Sequence, residues 1–226
     1  MPDRLILAMD AAGDSCSVAL GRASDAGLDV LASQKTEMKH GHAVALVPMI
    51  DKVMTQADRI FADLSAIAVG NGPGGFTGLR IALATARGLG LALEKPVLGV
   101  SNFQAAARQL PMDQRPLDGD ILVMIDSRRE EPYVARLDPD LLFKTAPRFM
   151  TLAEIASDLA AHPPSVITGD GTSLWQGVWP AGAGRHPAAA DALGILALAA
   201  DPAQRYSAKP DPLYLRPADV SAPKAP

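Results

Sequence analysis

The chain has 226 residues, 48% hydrophobic and 20% charged, with 21 Lys and Arg against 25 Asp and Glu for a formal net charge of -4. It is too apolar for a disordered chain and too acidic to hold nucleic acid by charge alone, since gripping phosphates takes clustered Lys and Arg. Its one cysteine, Cys16, can neither close an intrachain disulfide nor build a zinc site, which points to a reducing compartment. The apolar run before Asp10 is too short for the core of a secretory leader, and no stretch of sequence approaches the roughly 20 apolar residues of a membrane helix. A cytoplasmic protein is expected.

In chain order, Leu5 to Met9 form an apolar run that ends at Asp10. Ala11-Ala12-Gly13-Asp14 then supply turn chemistry before Ser15 to Leu20, where side chains alternate. This pattern predicts a hairpin with Asp10 at the mouth of its turn. A third strand is expected over Leu28 to Gln34. From Gly41 to Ala57 apolar residues recur at three- and four-residue steps, the spacing of a helix. Pro48 lies inside it and is expected to bend it or shift its start. Leu64 to Val69 reads as a short strand. The densest turn signal in the chain follows, Gly70-Asn71-Gly72-Pro73-Gly74-Gly75, and opens a helix from near Phe76 and Thr77 to about Leu93. Pro96 blocks its continuation and leads into a strand over Val97 to Val100, and Ser101 or Asn102 can cap a helix from Phe103 to about Leu110. The order β-β-β-α-β-α-β-α is that of a mixed α/β layer arrangement.

Pro111 to Gly119 is polar and proline-bearing, a candidate hinge between two lobes. Beyond it lie a hairpin-like pair, Ile121 to Asp126 and Tyr133 to Leu137, and a helix over Leu152 to Ala160. A strand over Ser165 to Thr168 ends in Gly169-Asp170-Gly171, and a last helix covers about Ala188 to Ala200. The stretch after Tyr206 is rich in proline and is expected to be extended. No repeat is visible in the sequence.

The glycine loop admits two readings. Gly70, Gly72 and Gly75 have the spacing of a dinucleotide fingerprint, after a strand and before a helix. Three strands and a helix precede it, however, the next strand brings no Asp or Glu for a ribose, and Phe76 and Thr77 stand where a P-loop needs Lys. The other reading is a structural loop over Gly72, Pro73, Gly74, Gly75 and Thr77. On the helix behind it, Gly78, Ala82, Ala86 and Gly90 share one face, with Ala84, Gly88 and Ala92 in an adjacent row. An internal glycine costs a helix about 1 kcal/mol relative to alanine, so another backbone must come close: its own sheet, or a helix of another subunit.

Asp10 is either a turn-capping aspartate or a weak nucleotide-binding residue; no Lys or Arg lies between Leu5 and Leu20 to help hold a phosphate. Asp126, Arg128 and Arg129 make a charge-dense spot, either a partner or RNA contact or an exposed hairpin. His40 and His42, two apart with no further clustered ligand, read as a solvated or capping pair rather than a metal site. No Gly-x-Ser-x-Gly elbow is present, and no catalytic set emerges.

Residues 72–88, Gly-Pro-Gly-Gly-Phe-Thr-Gly-Leu-Arg-Ile-Ala-Leu-Ala-Thr-Ala-Arg-Gly, resemble the signature of the bacterial TsaB (YeaZ) family. Leu7 to Asp10 with Cys16 to Leu20 resemble that family's opening hairpin, and His42 with Leu46 to Ile50 its first helix. Ile125 to Arg129 with Tyr133 resemble a second-lobe motif, and Pro212 to Arg216 the family's tail. The chain departs from the pattern at Gly75, where the family often has Ser, and at Glu131, where it often has Gly. The resemblance implies the actin-like ATPase and sugar kinase fold, with an N-terminal lobe over 1–110 and a smaller C-terminal lobe with an extended tail over 111–226. It also implies a non-catalytic scaffold for TsaD, the subunit that forms N6-threonylcarbamoyladenosine at position 37 of tRNAs reading codons that start with A. ATP and metal are then expected on the partner and no cofactor on this chain, since Leu46 stands where TsaD's His-x-x-x-His motif has its second histidine. A TsaE-like ATPase joins the assembled complex, tRNA is met only through that complex, and the chain alone is expected to form a homodimer. The implied partner surface is Val47, Ile50 and Met54 on the first helix with Gly78, Ala82, Ala86 and Gly90 on the second. The alternative is a stand-alone actin-fold enzyme, an ATP-dependent phosphotransferase or a peptidase.

Overall fold

The computed structural model describes residues 3–201 and 210–216. Strands β1 (Arg4–Asp10), β2 (Ser15–Ser24) and β3 (Gly27–Glu37) form an antiparallel meander; α1 (His42–Gln56), β4 (Ala66–Gly70), α2 (Phe76–Leu93), β5 (Val97–Val100) and α3 (Asn102–Arg108) follow. β4 pairs parallel to β1, and β5 parallel to β4, giving the order β3-β2-β1-β4-β5. The second sheet uses β6 (Ile121–Ile125), β7 (Tyr133–Leu137), β8 (Arg148–Phe149), β9 (Val166–Thr168) and β10 (Gly184–His186), with α4 (Leu152–Ala161) before β9 and α5 (Ala192–Ala200) after β10. Its order, β8-β7-β6-β9-β10, repeats the first one strand for strand, antiparallel on one side of β6 and parallel on the other. The two-lobed architecture is thus built from one topology used twice.

Five layers result. In β1, Leu5, Leu7 and Met9 point toward α1 and α2, while Ile6 and Ala8 point toward α3 and α5. In β6, Ile121, Val123 and Ile125 join that same inner cluster, and Leu122 and Met124 face α4. Strands covered on both faces read as unbroken apolar runs rather than alternating ones, which is why Leu5 to Met9 and Ile121 to Ile125 are so uniform. Helices α3 and α5 are the shared middle layer. They approach closely: a Cβ added at Gly194 would collide with the Ala105 carbonyl.

Several boundaries differ from expectation for local reasons. Pro48 neither breaks α1 nor delays its start; the carbonyl it leaves unbonded belongs to Val44, which is 81% exposed, so water can take its place. α5 begins at Ala192 rather than near Ala188 because Asp191 caps it, its Oδ1 accepting from the N–H groups of Leu193 (2.9 Å) and Gly194 (3.1 Å). The two-residue β8 and the three-residue β10 carry too little pattern to be read from sequence. α2 has the length and hydropathy to cross a membrane by composition, but one of its faces is packed on the first sheet. The stretch after Tyr206 falls largely outside the described residues; 210–216 has no helix or strand.

Cys16 lies on β2 with no exposed surface, and burial pushes its thiol up to about 11, with the charge of Asp10 adding to the shift. Labelling of the native protein by a thiol reagent is expected to be slow and to become fast on unfolding. Rapid stoichiometric labelling under native conditions would contradict this burial.

Candidate functional site

The ends of β1 and β6 face each other across the cleft between the lobes, and each carries an aspartate, Asp10 and Asp126. Asp10 is almost fully buried. One of its carboxylate oxygens accepts from the Ala12 N–H (3.2 Å), and the other accepts from Nδ2 of Asn102 (3.1 Å). Asn102 in turn accepts from the Gly72 N–H through its Oδ1 (3.1 Å). The carboxyl is pushed up to about 6 from an ordinary 3.8, first by burial; the hydrogen bonds from Asn102 and Ala12 oppose the shift, and Asp191 and Asp170 add to it. Asp10 therefore caps its turn and ties β1 to the glycine loop and α3.

The glycine loop packs against the β1–β2 turn. Gly72 and Pro73, joined by a cis peptide bond, are buried, Gly74 and Gly75 are half-buried and Thr77 is exposed. The Gly75 N–H donates to the Ala12 carbonyl (2.7 Å), and a Cβ at Gly74 would meet Ala12 at 2.7 Å.

On the opposite lobe, the Asp126 N–H donates to Asp170 (3.0 Å) and the Arg128 N–H to Asp126 (2.7 Å). The Arg128 guanidinium crosses the cleft to Asp14 at 2.6 Å, and its hydrogen bond holds the Asp14 carboxyl below its ordinary range. Asp170 shifts the other way, raised chiefly by burial. Arg128 thus belongs to an inter-lobe clamp. Asp14, Asn102 and Asp170 take part in this network, although the sequence marked them only as turn or cap residues. Asn102 is not even the cap of its helix; the Ser101 hydroxyl oxygen accepts from the Phe103 N–H (3.3 Å).

His42 is buried at the first turn of α1 and His40 is exposed. Among the described residues no group of three His, Cys, Asp or Glu is placed to hold a metal ion.

The expected partner surface needs correction. Ile50, Met54, Gly78, Ala82, Ala86 and Gly90 are all buried inside the chain itself; of the seven residues only Val47 is exposed. The small-residue face of α2 packs on its own sheet: a Cβ at Gly78 would overlap the Ala11 carbonyl, and one at Gly90 would overlap the Val97 side chain. The spacing revealed a face needing close approach but not what approaches it. The outer face holds the adjacent small row, Ala84 and Gly88, together with Leu91 at 84% exposed, and next to it α1 exposes Val44 and Val47.

Comparison with known proteins sharpens this picture. A family model for TsaD, tRNA N6-adenosine threonylcarbamoyltransferase, matches residues 29–146. An uncharacterized protein of Mycobacterium tuberculosis is 39% identical over 131 residues, and the chain spans 58% of that relative's length. The tRNA threonylcarbamoyladenosine biosynthesis protein TsaB of Haemophilus influenzae is 30% identical over 168 residues, covering 74% of this chain and 68% of that one. YeaZ from Pseudomonas aeruginosa superposes with a TM-score of 0.74 at 25% identity over 93% of this chain and 99% of the other. A second Pseudomonas aeruginosa structure, described as similar to peptidase YEAZ, gives 0.75 at 25% identity over 94% and 100%. With the signature helix, the duplicated topology and these matches in agreement, the chain belongs to the TsaB (YeaZ) family.

Proposed function

We propose that this chain is a cytoplasmic, non-catalytic scaffold subunit in the synthesis of N6-threonylcarbamoyladenosine on tRNA, docking a TsaD-type protein on the outer face of α1 and α2. The observation that carries this reading is the state of the cleft. Asp10 is hydrogen-bonded to Ala12 and Asn102, the Ala12 carbonyl takes the Gly75 N–H, and Arg128 pairs with Asp14. These groups, which an actin-fold enzyme could turn toward a nucleotide, are engaged with other parts of the chain. The chemistry, with its ATP and metal, then belongs to the partner, a TsaE-like ATPase joins the same assembly, and tRNA is met through it. Val44, Val47, Ala84, Gly88 and Leu91 offer an apolar strip with small residues at its centre, suited to a second pair of helices. In the partner's absence the same strip supports self-association.

The test is binding of the full chain to the TsaD-type protein of the same organism by calorimetry, with Leu91→Glu as the probe. A buried, unpaired carboxylate within an interface costs about 2 kcal/mol or more, an affinity loss of roughly 30-fold. The substitution lies on solvent-exposed helix surface, so melting should stay within a degree or two of the parent. Undiminished binding by Leu91→Glu would remove this face from the interface. Steady ATP hydrolysis by the isolated chain would favour the enzymatic alternative.

A further inference from the structure

Residues 210–216 lie along the molecule from the first lobe to the second, and their contacts are specific at every step. Pro210 seats against Gly99, where a Cβ would come within 2.9 Å of it. Arg87 of α2 donates to the Pro210 carbonyl (2.8 Å) and pairs with Asp211 (3.2 Å). The Leu213 N–H donates to the Asn71 carbonyl in the glycine loop (2.7 Å), and Leu213 and Leu215 pack on the inner core. Arg80 of α2 donates through Nε to the Tyr214 hydroxyl (2.9 Å), with its guanidinium 3.7 Å from the centre of the Phe76 ring and Phe76 against Tyr214. At the far end Arg216 lies over the Phe149 ring (4.6 Å) and pairs with Glu131. Glu131 belongs to the β6–β7 turn, whose Ser127 hydroxyl donates to the Glu131 carbonyl (2.6 Å).

The β6–β7 turn is therefore held from two sides. Arg128, in the left-handed region at φ 64, reaches Asp14 in the first lobe; three residues later Glu131 is gripped by the tail, which is itself anchored on α2. We propose that residues 210–216 are a strap that seats the β6–β7 turn against the first lobe, so that the Arg128–Asp14 clamp over the cleft closes only while the strap is in place. The geometry links pieces far apart in sequence: the Phe76-Thr77-Gly78-Leu79-Arg80 segment, the Ile125–Tyr133 segment and the Pro212–Arg216 tail meet through Arg80 with Tyr214 and Arg216 with Glu131. A passive cover would need Leu213 and Leu215 but not this pair of end latches.

Amide hydrogen exchange on the full chain tests the strap. Arg216→Ala removes the far latch and leaves Leu213 and Leu215 in place. Exchange over residues 126–133 is expected to rise about tenfold, while β1 and α1 stay within about twofold of the parent, because only the local opening is released. Arg216→Lys, which keeps the charge, should recover part of the protection. Unchanged exchange over 126–133 would overturn the proposal, and so would equal acceleration throughout the chain, which would make the tail a general stabiliser. Should Arg216→Ala fail to fold, Tyr214→Phe removes only the hydroxyl that Arg80 holds and is read on the same peptides with the same two overturning outcomes.

Discussion

Alanine in place of Gly78 is expected to destabilise the protein by about 3 kcal/mol or more, whereas the same change at Gly88, ten residues along the same helix, should stabilise it by up to about 1 kcal/mol. At Gly78 the added methyl would overlap the Ala11 carbonyl, a backbone group fixed by the β1–β2 turn, so the helix must lift from the sheet. A Cβ added at Gly88 would meet no neighbouring element within 4 Å, and only the helix-propensity gain remains. Urea unfolding of the two variants measures both signs at once. Ala82→Leu and Ala86→Leu, at positions without exposed surface, should also lower the melting temperature, because the space they would fill belongs to the chain's own core. A Gly78→Ala variant as stable as the parent would mean that α2 does not pack on the turn in this way.

The second large effect is a pH dependence centred on Asp10. Its folded-state carboxyl titrates near 6 against 3.8 for an ordinary aspartate, so the folded state binds this proton more tightly than the unfolded one. Its contribution to stability is fully present below about pH 3 and is lost as pH rises through 6, a change of about 3 kcal/mol for roughly two units of difference. Other carboxylates act in the opposite sense; Asp14, Asp120 and Glu154 all titrate below their ordinary range. The comparison must therefore be with Asp10→Asn, which removes this one titration. Between pH 3 and pH 7 the wild-type protein should lose about 3 kcal/mol relative to that variant. A stability difference between the two proteins that does not change with pH would show that Asp10 is not buried in this way.

Much of the fold was legible because burial leaves a trace in the residue types. The periodicity over 41–57 and the glycine cluster before Phe76 place α1 and α2 almost to the residue. The site was less legible, since its key links are long-range. Asn102 meets Asp10 across 92 positions and Arg128 meets Asp14 across more than a hundred, and neither spacing has a local signature. The stripe at Gly78, Ala82, Ala86 and Gly90 shows the limit most clearly. Its sequence demands a near neighbour, and only the packing reveals that the neighbour is Ala11 and the sheet rather than another chain. The duplicated topology escaped notice for a related reason: sheet order is fixed by hydrogen bonds between backbones, and β1 and β6 need share nothing but apolar character to adopt it.

The shared middle layer has a consequence for synthesis. A domain at the start of a chain can normally fold while the rest is still being made. Here the inner face of the first sheet, with Ala8, Ala19 and Ala68 at its centre, packs against α5, and α5 is formed by residues 192–200. Until those residues leave the ribosome, all five strands of the first lobe can be present and paired while one side remains largely bare. The first lobe is therefore completed only once residues 192–200 have emerged, well after its own last strand.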